Sequence, residues 1–221
     1  MPEKDFLEAC FDRDFVRSRG IPANDAEGFL FPDTYRFFAG TRAREALARL
    51  FGNYLEKTSA LRKERESAIE ALGRAAGMDG ELAWVTMASM VEAEAMVDRE
   101  RPRIAAVMWN RLVKKDPEVA RLQVDPTAVY GCRRLPSLDS CAGARGRAAT
   151  RAMLDDAANP YNTYRHDGLP PGPIGNPGLA SLAGALDRPE SDELFYVARG
   201  DGTHVFSRTY EEHRRAIEKW R

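Results

Sequence analysis

Apolar residues recur along most of the chain at spacings of three and four, the period of helices with one buried face. From Thr41 to about Lys57, TRAREALARLFGNYLEK puts Ala43, Leu47, Leu50, Phe51 and Tyr54 on one side, an amphipathic helix capped by Thr41. A second helix is expected from about Ser59 to Ala76. Asp79 suits the N-cap of DGELAWVTMASMVEAEAMV, which is apolar over most of its circumference and so reads as a buried core helix. Another begins near Glu100, Arg101 and Pro102, where proline fits the first turn, and RPRIAAVMWNRLVKK buries Ile104, Val107, Met108 and Leu112. NPGLASLAGALDRP is a short helix opened by Pro177 and closed before Pro189.

The period then changes. ELFYVAR and THVFS read as strands about the turn RGDG, a hairpin signal, and YEEHRRAIEKW is a final helix. Near the start, GFLFPDTYRFF mixes aromatics with a Pro-Asp turn, either a short strand or an ordered approach to the first helix. Residues 1 to about 26 are short of pattern and end in the turn-rich IPANDAEG, an N-terminal appendage ahead of a main domain over 27–221. No repeat or low-complexity tract occurs. The expected class is α+β, mainly helical, with a short β-hairpin.

One segment breaks the helical pattern. YNTYRHDGLPPGPIGNPG (161–178) places four prolines and four glycines in 18 positions, so it is neither a helix nor a central strand. Floppy linkers are Gly/Ser-rich and polar; this one carries Tyr161, Tyr164, Leu169 and Ile174 among rigid prolines, the composition of an ordered surface.

Charge and composition narrow the function. With 33 Lys+Arg against 34 Asp+Glu, no global field recruits nucleic acid or an anionic membrane, so binding must come from a local site. No apolar run approaches the roughly 20 residues of a membrane span, and MPEKDFLEACFDRDF has no signal-peptide apolar region. Three cysteines are too few for a disulfide scaffold and lack zinc-ligand spacing. Cys132 and Cys141 would close a short loop, and the sequence leaves open whether they pair; Cys10 is then odd and expected to be buried. His166, His204 and His213 lack paired spacing and read as surface or hydrogen-bonded residues rather than metal ligands.

On the core helix the few polar positions carry information. At about 100° per residue, Glu81 and Glu92 fall within about 20° of each other and define one polar edge. Glu94 lies about 160° from Glu92, in the arc of Ala83, Met87, Met90 and Val97. Desolvation there disfavours the carboxylate and raises its pKa toward that of a general acid. Periodicity leaves a second reading open, a structural Glu94 paired with Arg99, Arg101 or Arg103. A protonatable Glu facing a groove is how a carboxyl serves glycosidic cleavage, and the nearest second carboxylate by sequence is Asp125.

TMASMVEAEA (86–95), VMWNRL (107–112), LQVDPTAVYG (122–131), GLPPGPIGNPG and FYVARGDGTHVFS (195–207), with EGFLFPDTYRF (27–37) at the start, resemble in order the catalytic domain of the MltG/YceG-like endolytic murein transglycosylases. The resemblance covers about residues 27–221. It implies a bacterial enzyme that cuts peptidoglycan glycan strands internally without water and without a cofactor. One Glu protonates the bond between MurNAc and GlcNAc, then acts as base while the MurNAc C6 hydroxyl attacks its own C1, leaving a 1,6-anhydro end. The family's catalytic Glu, the second of two closely spaced glutamates, carries over to Glu94, with Glu92 structural.

The resemblance also implies a substrate surface. Tyr161, Asn162, Thr163 and Tyr164 would offer hydrogen bonds and an aromatic face to sugar rings; the alternative is that they pack the loop against the core. Gln123, Asp125 and Thr127 match the family's Gln-x-Asp-Pro-Thr pattern and would line the same cleft, although Asp-Pro-Thr also suits a helix N-cap. Asn110 would brace the site, and His204 in the hairpin is a weaker candidate. Members carry a cytoplasmic segment, one transmembrane helix and a LysM-like region before this domain. Residues 1–26 read as the end of that region in a truncated form that lacks its inner-membrane anchor, of a protein placed in the bacterial periplasm. Cell-wall synthases are implied partners, nucleic acid is not.

Arg133, Arg134, Arg145, Arg147 and Arg151, in the unmatched segment 132–160, form either a contact for acidic stem peptides or a solvated loop. Three rival functions stand beside the transglycosylase: a glycan-binding scaffold, a lysozyme-type hydrolase using Asp125, and aminodeoxychorismate lyase, a name also attached to the family. The last needs pyridoxal phosphate on a lysine, and no Gly-rich phosphate loop beside a buried lysine is found.

Overall fold

In a computed structural model, residues 1–114, 119–142 and 148–220 are described. The core helix forms as the pattern predicts. α5 (Gly80–Glu94) is capped by Asp79, whose carboxylate accepts from the N–H groups of Glu81 and Leu82, and every residue from Ala83 to Val91 is buried. Such all-round burial needs neighbours on every side. α4 (Glu66–Ala76), α6 (Arg101–Val113), α7 (Asp125–Arg134) and α9 (Leu179–Leu186) supply them. Trp84 Nε1 donates to Leu182 O at 2.8 Å, tying α5 to α9. A Cβ on Gly184 would sit 2.9 Å from that of Arg101, so only glycine lets α9 approach α6 this closely.

Helix boundaries depart from the pattern in three places. α3 (Ala43–Glu64) runs straight through the expected break near residue 58, because Thr58 is buried and its hydroxyl bonds back to Tyr54 O at 2.7 Å inside the helix. Its N-cap is Arg42, while Thr41 turns its hydroxyl to Phe38 O at 2.8 Å. α5 stops at Glu94, three residues short of Val97: Ala95 takes extended backbone and a 3-10 turn (Asp98–Glu100) leads into α6. GFLFPDTYRFF contains no strand and is an ordered approach in which Phe29 and Phe31 are buried.

The N-terminal 26 residues hold more structure than their pattern suggests. α1 (Glu3–Cys10) and α2 (Arg13–Ser18) form, and Cys10, Val16, Ile21, Ala23 and Ala26 join the same core as α5. Asn176, from the Pro/Gly segment, accepts from Gly28 N and Leu30 N at 2.9 and 3.0 Å and donates to Glu27. That segment is ordered and packed, with Pro170, Pro173 and Pro177 buried.

The hairpin of β1 (Phe195–Ala198) and β2 (His204–Ser207) pairs antiparallel with Phe195 opposite Ser207 and Ala198 opposite His204, and its turn uses Gly200 and Gly202 at positive φ. α10 (Tyr210–Trp220) packs against it. α6 clamps the strand leading in: Asn110 donates to Ser191 O and Glu193 O, and Arg103 pairs with Glu193. α7 and the short α8 (Arg151–Asp155) enclose a satellite core of Ala128, Val129, Met153 and the disulfide Cys132–Cys141. Cys10 is free and buried. No described helix is long and apolar enough to cross a membrane.

Candidate active site

Glu94 is the last residue of α5, in register with buried Ala83, Met87 and Met90. Where the helix stops, the apolar stripe opens into a cleft of about 230 Å³ lined also by Arg111, Gln123, Asp125, Tyr164, Tyr196 and His204. The Tyr196 hydroxyl donates to Glu94 Oε2 at 2.9 Å. Of the arginines weighed as partners, Arg101 and Arg103 go elsewhere and Arg99 is exposed with no ion pair to Glu94. Arg101 binds Asp98, Ser181 and, at 3.5 Å, Glu92, while Arg103 binds Glu193; Glu94 has no salt bridge among the described residues. Burial pushes the Glu94 carboxyl above the usual glutamate range, the Tyr196 hydrogen bond opposes this, the nearby Asp125 charge adds to it and His204 opposes it. Such a group holds a proton longer than an ordinary glutamate and can donate it.

Glu92 lies on the opposite, exposed edge, accepting from Gly178 N at 3.1 Å, a bracing contact to the Pro/Gly segment. The other residues named from the sequence divide into two groups. Gln123, Asp125, Tyr164 and His204 line the cleft. Asp125 opens α7 as its first residue, after an N-cap at Val124, and its carboxylate accepts from the Tyr164 hydroxyl. Burial, with the Asp125 contact, pushes the Tyr164 phenol far up, so it stays a neutral donor. His204 Nδ1 is 2.8 Å from Glu100 Oε2, and its ring stands edge-on to Tyr196 with centroids 5.4 Å apart.

Thr127, Asn162 and Thr163 are built into the wall instead. Each is at most 1% exposed. The Thr127 and Thr163 hydroxyls lie 2.9 Å apart, Thr163 Oγ1 accepts from Val124 N, and the Asn162 amide donates to Met153 O, Leu154 O and Asp156 O. With their polar atoms so occupied they shape the cleft without facing it. Tyr161 packs edge-on to Tyr130 at 4.9 Å and borders a different hollow, beside Asp25 and Arg134. Asn110 holds the hairpin entry, as bracing requires. In the basic segment, Arg134 pairs with Asp25 and Arg151 with Asp155, whereas Arg145 and Arg147 lie outside the described residues. No cluster of three metal-binding side chains occurs among the described residues.

Three residues in or behind the cleft are not marked as site residues by the sequence. Tyr196 sits on a strand whose neighbours Phe195 and Val197 are buried, which in sequence looks like a core aromatic. Glu100 is separated from His204 by 104 positions. Arg111 did carry a signal: it falls about 20° from Ile104 on the helix wheel, a charge on the apolar face of α6, the same feature that singles out Glu94.

Fold and site together define a mainly helical domain that holds a desolvated carboxyl, its pKa raised by burial, in a narrow polar cleft under a β-hairpin. The chain belongs to the YceG-like family, whose model matches residues 3–219. It is 34% identical over 200 residues to the endolytic murein transglycosylase of Bacillus subtilis (strain 168), covering 88% of this chain and 48% of that protein. It is 29% identical over 196 residues to the endolytic murein transglycosylase of Streptococcus pneumoniae (serotype 2, strain D39), covering 86% and 31%. The chain thus spans half or less of the length of these relatives. The crystal structure of a yceG-like protein from Listeria monocytogenes superposes with a TM-score of 0.76 at 29% identity, over 97% of this chain and 67% of that one.

Proposed function

We propose that this chain is an endolytic peptidoglycan lytic transglycosylase in which Glu94 acts first as acid, then as base. The observation that carries the reading is Glu94 itself, a desolvated carboxyl with a neutral hydroxyl for its partner, facing the cleft. Protonated Glu94 gives its proton to the oxygen between MurNAc and GlcNAc, and the C1–O bond breaks. The MurNAc C6 oxygen then attacks C1 and its proton passes to the Glu94 carboxylate, so the acid is regenerated and no water enters. A cleft of about 230 Å³ is smaller than the roughly 300–1,000 Å³ of pockets that enclose a whole ligand, so it grips the scissile linkage while the strand continues outside. Such a substrate lies on the extracytoplasmic side, where oxidising conditions suit the Cys132–Cys141 disulfide.

A second reading rests on Asp125, whose charge reaches Glu94 and raises its pKa. If Asp125 served as the partner carboxylate, the product would be hydrolytic. Mass spectrometry of peptidoglycan strands incubated with the wild-type chain and with Glu94→Gln separates the two. Anhydro-ended fragments from the wild type alone are expected; reducing ends would make the chain a hydrolase, and cleavage that survives Glu94→Gln would remove Glu94 from the chemistry.

A further inference from the structure

The cleft contains a second charged group that the proposed proton transfers leave unused. Arg111 is 7% exposed. Its Nε donates to Leu194 O at 2.6 Å, and Nη1 to Arg121 O, Leu122 O and Gln123 Oε1 at 2.9, 3.1 and 3.1 Å. All four acceptors are neutral. Its guanidinium also lies over the Phe195 ring, 4.9 Å from the centroid, but among the described residues Arg111 has no carboxylate partner and its Nη2 makes no hydrogen bond, yet Arg111 lines the cleft. A buried cation without a counter-ion is strongly unfavourable, and apolar residues would fill this position on α6 at less cost.

Gln123 supplies an independent observation. It is the one non-glycine residue at positive φ among the described residues, at 55°. Strained backbone of this kind persists where surrounding contacts over-determine it, and it concentrates at ligand sites. Here the contacts are Gln123 N donating to Thr163 O at 3.1 Å and Arg111 holding the side chain. Because a guanidinium only donates, the carboxamide must present its oxygen to Arg111, and its Nε2 donors, on an exposed residue of the cleft, have no partner among the described residues.

We propose that Arg111 Nη2 and Gln123 Nε2 together form an anion subsite beside Glu94 that takes a carboxylate carried by a muramyl residue of the glycan strand. The proposal rests on the murein reading above. Both residues line the cleft and are joined by the Arg111 Nη1–Gln123 Oε1 hydrogen bond, and a guanidinium N–H beside an amide N–H is the donor pair that suits the two oxygens of a carboxylate. The competing negative side chain in the cleft, Asp125, is engaged by the Tyr164 hydroxyl. The carboxylate has two sources, the lactyl group of a MurNAc without a stem peptide or the acidic residue of a stem peptide, and one titration tells them apart.

The full chain carrying Glu94→Gln is titrated calorimetrically with three GlcNAc-MurNAc disaccharides, which lack the MurNAc-GlcNAc linkage and so are not cleaved during the titration. One has a free lactyl carboxylate, one a neutral lactyl amide, and one bears L-Ala-D-Glu. The expected result is at least about tenfold tighter binding of a carboxylate form than of the amide. Preference for the free acid assigns the lactyl group, and preference for the peptide form alone assigns the stem peptide. That preference is expected to vanish in Arg111→Met and in Gln123→Glu; the second variant gives Arg111 an internal carboxylate without removing any of its backbone contacts, so loss of folding does not mimic the effect. Equal affinity for all three ligands, or a preference that survives Gln123→Glu, would overturn the subsite and leave the murein reading standing. Failure of every disaccharide to bind would overturn both.

Discussion

At the scale of single residues, the site works by setting two side chains against their surroundings. Glu94 holds its proton to higher pH than an ordinary glutamate because burial disfavours its charge, and the hydroxyl of Tyr196 partly offsets this by favouring the carboxylate. Removing that donor has a definite sign. In Tyr196→Phe the Glu94 pKa rises further, so the alkaline limb of the pH profile for strand cleavage moves to higher pH, while loss of a partly buried hydrogen bond lowers stability by about 1 kcal/mol. An alkaline limb that stays in place while the protein melts earlier would mean that Tyr196 only supports the fold. Arg111 is the complementary case. Burial acts on it in the opposite direction, lowering its pKa, but arginine starts so high that it remains charged, held by four neutral oxygens and no counter-ion among the described residues.

At the scale of elements, the cleft exists because four pieces meet in one place. α5 ends at Glu94, α7 begins at Asp125, α6 presents Arg111 on its inner face, and β1 lays Tyr196 across the opening. α7 is held by a small core of its own, closed by Cys132–Cys141. A bridge over nine positions in a region with few other apolar contacts contributes roughly 2–3 kcal/mol. The double substitution Cys132→Ser, Cys141→Ser is therefore expected to lower the urea midpoint and to speed amide exchange in α7 and α8 more than in α5. Uniform acceleration throughout the chain would show that this region is not a separate cooperative unit.

At the scale of the whole molecule, the N-terminal 26 residues share the core that holds α5. Val16 and Ile21 are fully buried, and each such side chain is worth roughly 1.5–3 kcal/mol. With Cys10, Ala23 and Ala26 beside them, their loss approaches the net stability of about 5–15 kcal/mol that a domain possesses. A variant that begins at Glu27 is accordingly expected to lose its cooperative thermal transition. If it melts sharply within a few degrees of the full chain, the segment is an appendage that merely rests on the domain. The ion pairs Arg44–Asp12 and Arg134–Asp25, both of which that variant loses along with the apolar contacts, argue for the first outcome.

Local pattern was enough to place α5 and α6, whose apolar positions repeat at 3.6 residues, and, with the punctuation of Pro177, Pro189 and the RGDG turn, α9, the hairpin and α10. It was enough also to mark Glu94, since one carboxylate in an apolar arc stands out whatever packs against it; the same reasoning applied to Arg111 would have found the second charge. Local pattern was silent where the decisive contacts are distant. Nothing near Thr58 shows that its hydroxyl will satisfy itself within a continuous helix, and nothing in residues 95–97, all able to remain helical, shows that the chain must turn there toward Glu100 and His204. Thr127, Asn162 and Thr163 have the right chemistry to touch sugar and were separated from Gln123, Asp125 and Tyr164 only by packing, which turns a polar group either to the backbone or to the cleft. Composition and spacing determine which residues are able to be buried or charged; which polar atoms remain unpaired after the chain closes is decided by contacts made across a hundred positions, and those unpaired atoms are the ones left for a ligand.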